Sequence, residues 1–178
     1  FGATGFSSQD FAADNVAFGY DNNASALQVS ALLLDQYVEA ANTISTEYVN
    51  STQPSEWGCT SANRECARTF LESKGTQIFR RPLSENDIES YLEVYDLAVE
   101  DGFDTGLIWT ITAMLQSPHF LYRSELGERD LNNTFALTDW EIATELSYLI
   151  WQSTPDATLL SLANDAQLQD PVVFEEQV

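Results

Sequence analysis

From Ser30 onward, apolar residues recur every three or four positions. Leu33, Tyr37, Ala40, Ala41, Ile44 and Tyr48 fall on one face of a helix that Ser30 is placed to cap, ending near Asn50. Residues 51–60 carry Pro54, Gly58 and Cys59 and read as a loop. A second helix is expected from about Ser61, with Cys66, Phe70 and Leu71 on one side. Gly75 is a possible interruption ahead of Ile78 and Phe79, and Pro82 disfavours helix at Arg81. Ser84 and the acidic residues after it open a third helix with the stripe Ile88, Tyr91, Leu92, Tyr95 and Val99, closed at Asp101 and Gly102. A fourth, from about 104 to 116, turns Leu107, Ile108, Ile111, Met114 and Leu115 inward and stops at Ser117 and Pro118. Residues 119–123 are either one helical turn or an extended piece.

Beyond a polar linker at 127–136, Thr138 and Glu141 have the spacing of a capping box ahead of an apolar run. The helix it opens carries Ile142, Leu146, Leu149 and Ile150 and ends near Trp151. Pro155 is expected in the first turn of the next helix, with Leu159, Leu160 and Leu162, and Asp170 with Pro171 repeats the device. The pattern predicts an all-α fold without a strand pair: an irregular N-terminal arm, then six or seven helices in two small packed helical subdomains. Domain boundaries are expected at 1–52 (arm and first helix), 53–128 (a central helical domain) and 129–178 (the start of a third helical domain). Both ends read as cuts through a longer chain.

Composition narrows the class. A chain of 178 residues, 44% hydrophobic and 12% aromatic, has the length and apolar content for a real core, which excludes a disordered chain. It holds 28 acidic and 7 basic residues, for a net charge of −21. That balance repels phosphate backbones and anionic lipid, so nucleic-acid binding is not expected. No stretch approaches the roughly 20 apolar residues of a membrane helix, so membrane insertion is not expected either. Solubility is the first reading of the charge; attraction of cations or a basic protein partner is the second. All seven basic residues lie from Arg64 to Arg129.

Few residues offer chemistry. Cys59 and Cys66 are too few for a zinc site and read as a local disulfide in an oxidising compartment, with two free core thiols as the alternative. Ala67 follows Cys66, so the pair fails the C-x-x-C-H pattern of covalent haem. His119, the one histidine, is a weak catalytic or ligand candidate against a structural, hydrogen-bonded role. Met114 and His119 are too close, across a proline break, to clasp a haem iron. Arg80, Arg81 and Arg123 are read as structural ion pairs, with Glu125, Glu141 or Glu145 as partners; an anion or acidic-sugar site is the alternative. Asp14 and Asp21 in the arm are weak calcium candidates, but lack the spacing of a calcium loop. Trp109 and Trp151 are read as core, and Trp140 as docking on the arm. The glycosylation-type triplets at Asn23, Asn50 and Asn132 are read as chance matches.

Three groups of residues carry a family resemblance. Gly19 to Asn23 with Leu27 to Tyr37 looks like the end of one domain. Phe79-Arg80-Arg81-Pro82-Leu83 with Leu115-Gln116-Ser117-Pro118-His119-Phe120-Leu121-Tyr122-Arg123 resembles a second. Leu137-Thr138-Asp139-Trp140-Glu141 with Leu146 to Trp151 is similar to the opening of a third. Together they resemble consecutive domains of unknown function in planctomycete-type, cytochrome-c-associated multidomain proteins. The resemblance implies a large exported protein, periplasmic, cell-surface or secreted. It implies haem c elsewhere in that protein and no cofactor within this segment. The partners it implies are the other, haem-bearing domains of the same protein. On this reading the chain is an internal helical scaffold or interaction segment. The alternative is one wall of an active site in an extracytoplasmic oxidoreductase or polysaccharide-active enzyme.

Overall fold

The structure, a computed structural model, describes residues 11–13, 29–129 and 135–178. Asp14, Asp21, the triplets at Asn23 and Asn132 and most of the expected arm lie outside the described residues. The described chain is all-α, with eight α-helices: α1 (Ala31–Ser51), α2 (Arg64–Phe79), α3 (Glu85–Ala98), α4 (Phe103–Leu115), α5 (Pro118–Leu121), α6 (Asp139–Trp151), α7 (Ala157–Asn164) and α8 (Pro171–Glu176). One departure from the expectation is a short antiparallel pair, β1 (Glu128–Arg129) and β2 (Phe135–Ala136), inside the expected linker. Two residues a side, all four exposed, give no periodicity that a sequence pattern could reveal.

Contacts group the chain into two units, Phe1–Cys66 with Tyr91–Gln116, and Ala67–Ser90 with Ser117–Val178. In the first, Ser30 caps α1 by accepting from the Leu33 amide at 3.1 Å, as its position implies. Helices α1 and α4 pack together. Ala40, Ala41 and Val49 are buried on α1, and Leu107, Ile111 and Met114 are fully buried on α4. Trp57, in a 3-10 turn after α1, is buried and donates its indole N–H to the Tyr48 hydroxyl at 3.1 Å. A disulfide joins Cys59 to Cys66 and so ties the loop to the first turn of α2. Of the arm, Phe11 sets its ring edge against Tyr37, and the Ala12 amide donates to Gln36 at 2.8 Å. Trp109 is not core: it is 53% exposed, because the buried face of α4 is the stripe through Leu107, Ile111 and Met114.

In the second unit α2 runs unbroken through Gly75. A side chain there would begin 2.5 Å from a Leu83 methyl, so the missing Cβ is the space into which Leu83 packs. Thr138 and Glu141 form the expected capping box of α6. The α6 face of Ala143 and Leu146 closes on Leu159 and Ala163 of α7 and on Leu168, with Trp140 packed alongside. Trp151 is half exposed and Leu149 is 82% exposed. The buried α6 positions, Asp139, Ala143, Leu146 and Ser147, repeat at helical spacing and leave Leu149 off that face. Pro155 lies outside α7 altogether. Asp156 is the N-cap, its carboxylate accepting from the Leu159 amide at 2.9 Å, so Pro155 only leads the chain in. Pro171, by contrast, does occupy the first turn of α8. No helix among the described residues is long and apolar enough to cross a membrane.

Gly106 on α4 is packed closely against α3. An added Cβ would lie 2.7 Å from the Tyr95 ring and 3.2 Å from its carbonyl oxygen, and Tyr95 is only 1% exposed. Gly106→Ala should therefore destabilise the chain by about 1–3 kcal/mol through overpacking, against the gain Ala brings to an exposed helix. The urea unfolding midpoint is the check.

Candidate functional site

The most informative local chemistry lies in the second unit, where α2 ends. Arg80 follows the last residue of α2 with φ +58°, the left-handed conformation that glycine usually supplies at this position. For an arginine this costs about 1 kcal/mol, so something must hold it there. The side chain is what does so. Although Arg80 is 4% exposed, its Nη2 donates to three backbone carbonyls, of His119 at 2.8 Å, Phe120 at 3.1 Å and Tyr122 at 3.0 Å. Nη1 reaches the Ile78 carbonyl at 3.4 Å. Burial pulls the guanidinium below its ordinary pKa; Tyr148 opposes that and the nearby Arg123 adds to it. The expectation of a carboxylate partner is thus corrected for Arg80: its bonds are to carbonyls, which present a convergent set of acceptors around the single turn of α5.

Arg81 and Arg123 do meet carboxylates. Arg81 Nη1 donates to Asp87 at 3.0 Å and to the Pro82 carbonyl at 2.9 Å, and the guanidinium stands 5.7 Å over the Phe79 ring. Asp87 also accepts from the Ser84 amide and hydroxyl. Burial alone would raise its carboxyl, but these donors hold it below the usual carboxylate range. Arg123 lies 4.8 Å over the Tyr148 ring and 3.5 Å from Glu145. Burial pushes Glu145 up, Arg123 pulls it down, and the neighbouring Glu125 carboxyl adds to the rise.

Glu141, weighed from sequence as an arginine partner, is instead surrounded by N–H and O–H donors. One oxygen accepts from the Leu126 amide at 2.7 Å and the Gly127 amide at 3.1 Å. The other accepts from the Thr138 amide at 2.8 Å and its hydroxyl at 2.9 Å. The same carboxylate therefore caps α6 and gathers the chain leading to β1. The capping half was legible from spacing; the Leu126 and Gly127 half has no local motif. Asp139 is a second brace that spacing did not mark: it is buried and accepts from the Leu168 amide at 2.7 Å and the Gln169 side chain at 3.0 Å.

Around these fasteners lies a pocket of about 340 Å³, with Phe79, Arg81, His119, Leu126, Trp140 and Glu141 in its wall. His119 is exposed, its ring centroid 5.5 Å from that of Phe79, and its amide donates to the Ser117 hydroxyl at the start of α5. Trp140 is half buried in the first turn of α6. The residues present do not suit covalent haem: both thiols are consumed by the disulfide, and the Met114 thioether is fully buried. No group of three or more His, Cys, Asp or Glu able to hold a metal ion occurs among the described residues.

Three family comparisons match the chain in succession. Residues 1–50 match "PSD3: Protein of unknown function (DUF1587)", residues 66–125 match "PSD5: Protein of unknown function (DUF1595)", and residues 137–178 match "PSD4: Protein of unknown function (DUF1592)". No curated protein and no solved structure matches the chain. The residues that fasten the second unit fall within two of these segments, Arg80 and Arg123 in the second and Glu141 in the third.

Glu141 yields a pH dependence. Burial raises its carboxyl, but the backbone amides of Thr138, Gly127 and Leu126 and the Thr138 hydroxyl outweigh it, so its pKa falls below 4.5 in the folded state. A lowered folded pKa contributes stability that is complete above the unfolded value and is lost as pH falls through the folded one. Glu141→Gln should therefore cost about 1 kcal/mol at pH 7. The difference from wild type should shrink as pH drops to about 3. Parallel urea unfolding at the two pH values tests this; a gap that persists in acid contradicts it.

Proposed function

We propose that this chain is an internal helical scaffold and interaction segment of a large exported, haem-c-associated bacterial protein, and that it carries no haem itself. The observation that carries the reading is the use made of its cations. Arg80 is spent on backbone carbonyls, and Arg81 beside it braces Asp87 through Nη1. Arg123 is spent on Glu145 and Tyr148. These residues fasten helices. The disulfide agrees with an oxidising, extracytoplasmic compartment, periplasmic, cell-surface or secreted. On this reading the chain's partners are other domains of the same protein, which hold the haem.

A second reading makes the pocket one wall of an active site in an oxidoreductase or polysaccharide-active enzyme, because His119, Arg81 and Glu141 line one concavity with aromatic walls. Two results separate the readings. The native full-length protein is purified, its absorption spectrum is recorded, and its peptides are mapped by mass without reduction. The scaffold reading expects a c-type haem spectrum, haem-bearing peptides only outside residues 1–178, and a Cys59–Cys66 peptide lighter by two hydrogens. Haem on a peptide from within 1–178 overturns it. So does a full-length His119→Ala protein that stays folded but loses turnover, which would establish the second reading.

A further inference from the structure

The pocket at the end of α2 holds polar groups that have no hydrogen-bond partner among the described residues. Four polar side chains in its wall are already committed. Glu141 accepts four bonds. The Thr138 hydroxyl donates to Glu141 and the Thr144 hydroxyl to the Trp140 carbonyl, while Arg80 is bound to carbonyls. Three remain. Both hydrogen bonds of Arg81 leave from Nη1, so its Nε and Nη2 edge has no partner among the described residues, and the side chain is one-third exposed. The His119 ring and the exposed Ser124 hydroxyl likewise have no hydrogen-bond partner among the described residues.

What remains is rich in donors, and it is set among rings. An Nε and Nη2 edge presents two parallel N–H groups at the spacing of a carboxylate's oxygens. Arg80 adds a buried positive charge that faces backbone carbonyls and Tyr148 and no carboxylate. The opposing charge in the wall is Glu141, whose carboxylate is covered by three amides and a hydroxyl. His119 and Trp140 supply accessible rings from α5 and α6, and the buried Phe79 ring, Pro82 and Leu126 complete the apolar part of the wall. A volume of about 340 Å³ lies at the small end of ligand pockets and suits a molecule of one ring.

We propose that this pocket binds a small carboxylate carried on a single ring, with the free edge of Arg81 gripping the carboxylate and Trp140 and His119 flanking the ring. The shared chemistry has two sources, an aromatic acid or an acidic sugar. It goes beyond the scaffold reading and does not depend on it, since a framework segment can also hold a ligand.

The test is calorimetric titration of the 178-residue chain at fixed pH and about 150 mM salt, where the surface charge of −21 is screened. Benzoate and D-galacturonate are the probes, and benzyl alcohol, D-galactose and acetate the controls. One-to-one saturable binding of benzoate or galacturonate is expected, about tenfold or more tighter than the matching neutral ring and than acetate. Whichever of the two acids binds more tightly identifies the source. Arg81→Lys keeps the charge and the reach to Asp87 but loses the flat edge, and should weaken the acid by about tenfold while leaving the neutral ring unchanged. Arg81→Gln should do the same, with circular dichroism confirming that each variant is folded. Equal binding of acid and neutral ring, no saturable binding, or indifference to Arg81→Lys in a folded variant would each overturn the proposal.

Discussion

A buried guanidinium surrounded by backbone carbonyls governs the second unit. The end of α2 turns into a left-handed residue, the turn aims Arg80 inward, and its Nη2 gathers the carbonyls of His119, Phe120 and Tyr122. Helix α5 has only four residues and could not persist alone, because a single turn fixes several dihedrals for almost no internal bonding. Tertiary fastening has to hold it, and Arg80 is that fastening. The backbone conformation of Arg80 and its side-chain bonds are thus one device: the strain of the first is offset by the second.

Other braces in this unit follow the same logic, with charged side chains spent on backbone. Glu141 collects the amides of Leu126, Gly127 and Thr138. Asp139 holds the Leu168 amide. Such bonds are stronger than neutral ones and lock loop segments that lack a regular ladder. They also explain how a chain with so large a negative charge folds. Its carboxylates are not all paired with cations, of which there are too few, and several are satisfied by N–H groups instead.

The helical framework was legible in the sequence because its cues are local. The Thr138 and Glu141 box, the Ser30 cap and the stripe through Leu107, Ile111 and Met114 each act within a few residues, and spacing reads them directly. The failures are of a different kind. Residue type alone places Trp109 and Trp151 inside, because large aromatics usually are; only the position of neighbouring helices decides which side of a helix is covered. Pro155 lies two positions before the first helical residue, the place its type suggests, because Pro and Asp both open helices and the Asp156 carboxylate takes the capping position here. At the site, the importance of Arg80 and Arg81 was visible from residue type, and so was the Asp87 class of partner for Arg81. The partners of Arg80 were not, because a backbone carbonyl has no letter in a sequence and its use depends on a segment about 40 positions away. Gly75 is similar: its purpose is the Leu83 side chain, which spacing does not reveal.

Native-state hydrogen exchange on Arg80→Met tests the central claim most directly. The amides of Phe120, Leu121 and Tyr122 bond to the carbonyls of Ser117 and Pro118 within α5, and the Leu160 amide in α7 bonds to Asp156, away from the arginine. If Arg80 holds the turn, the three α5 amides should lose about tenfold or more in protection relative to wild type while Leu160 keeps most of its own. Unchanged protection at Phe120, Leu121 and Tyr122 in the variant would contradict the account.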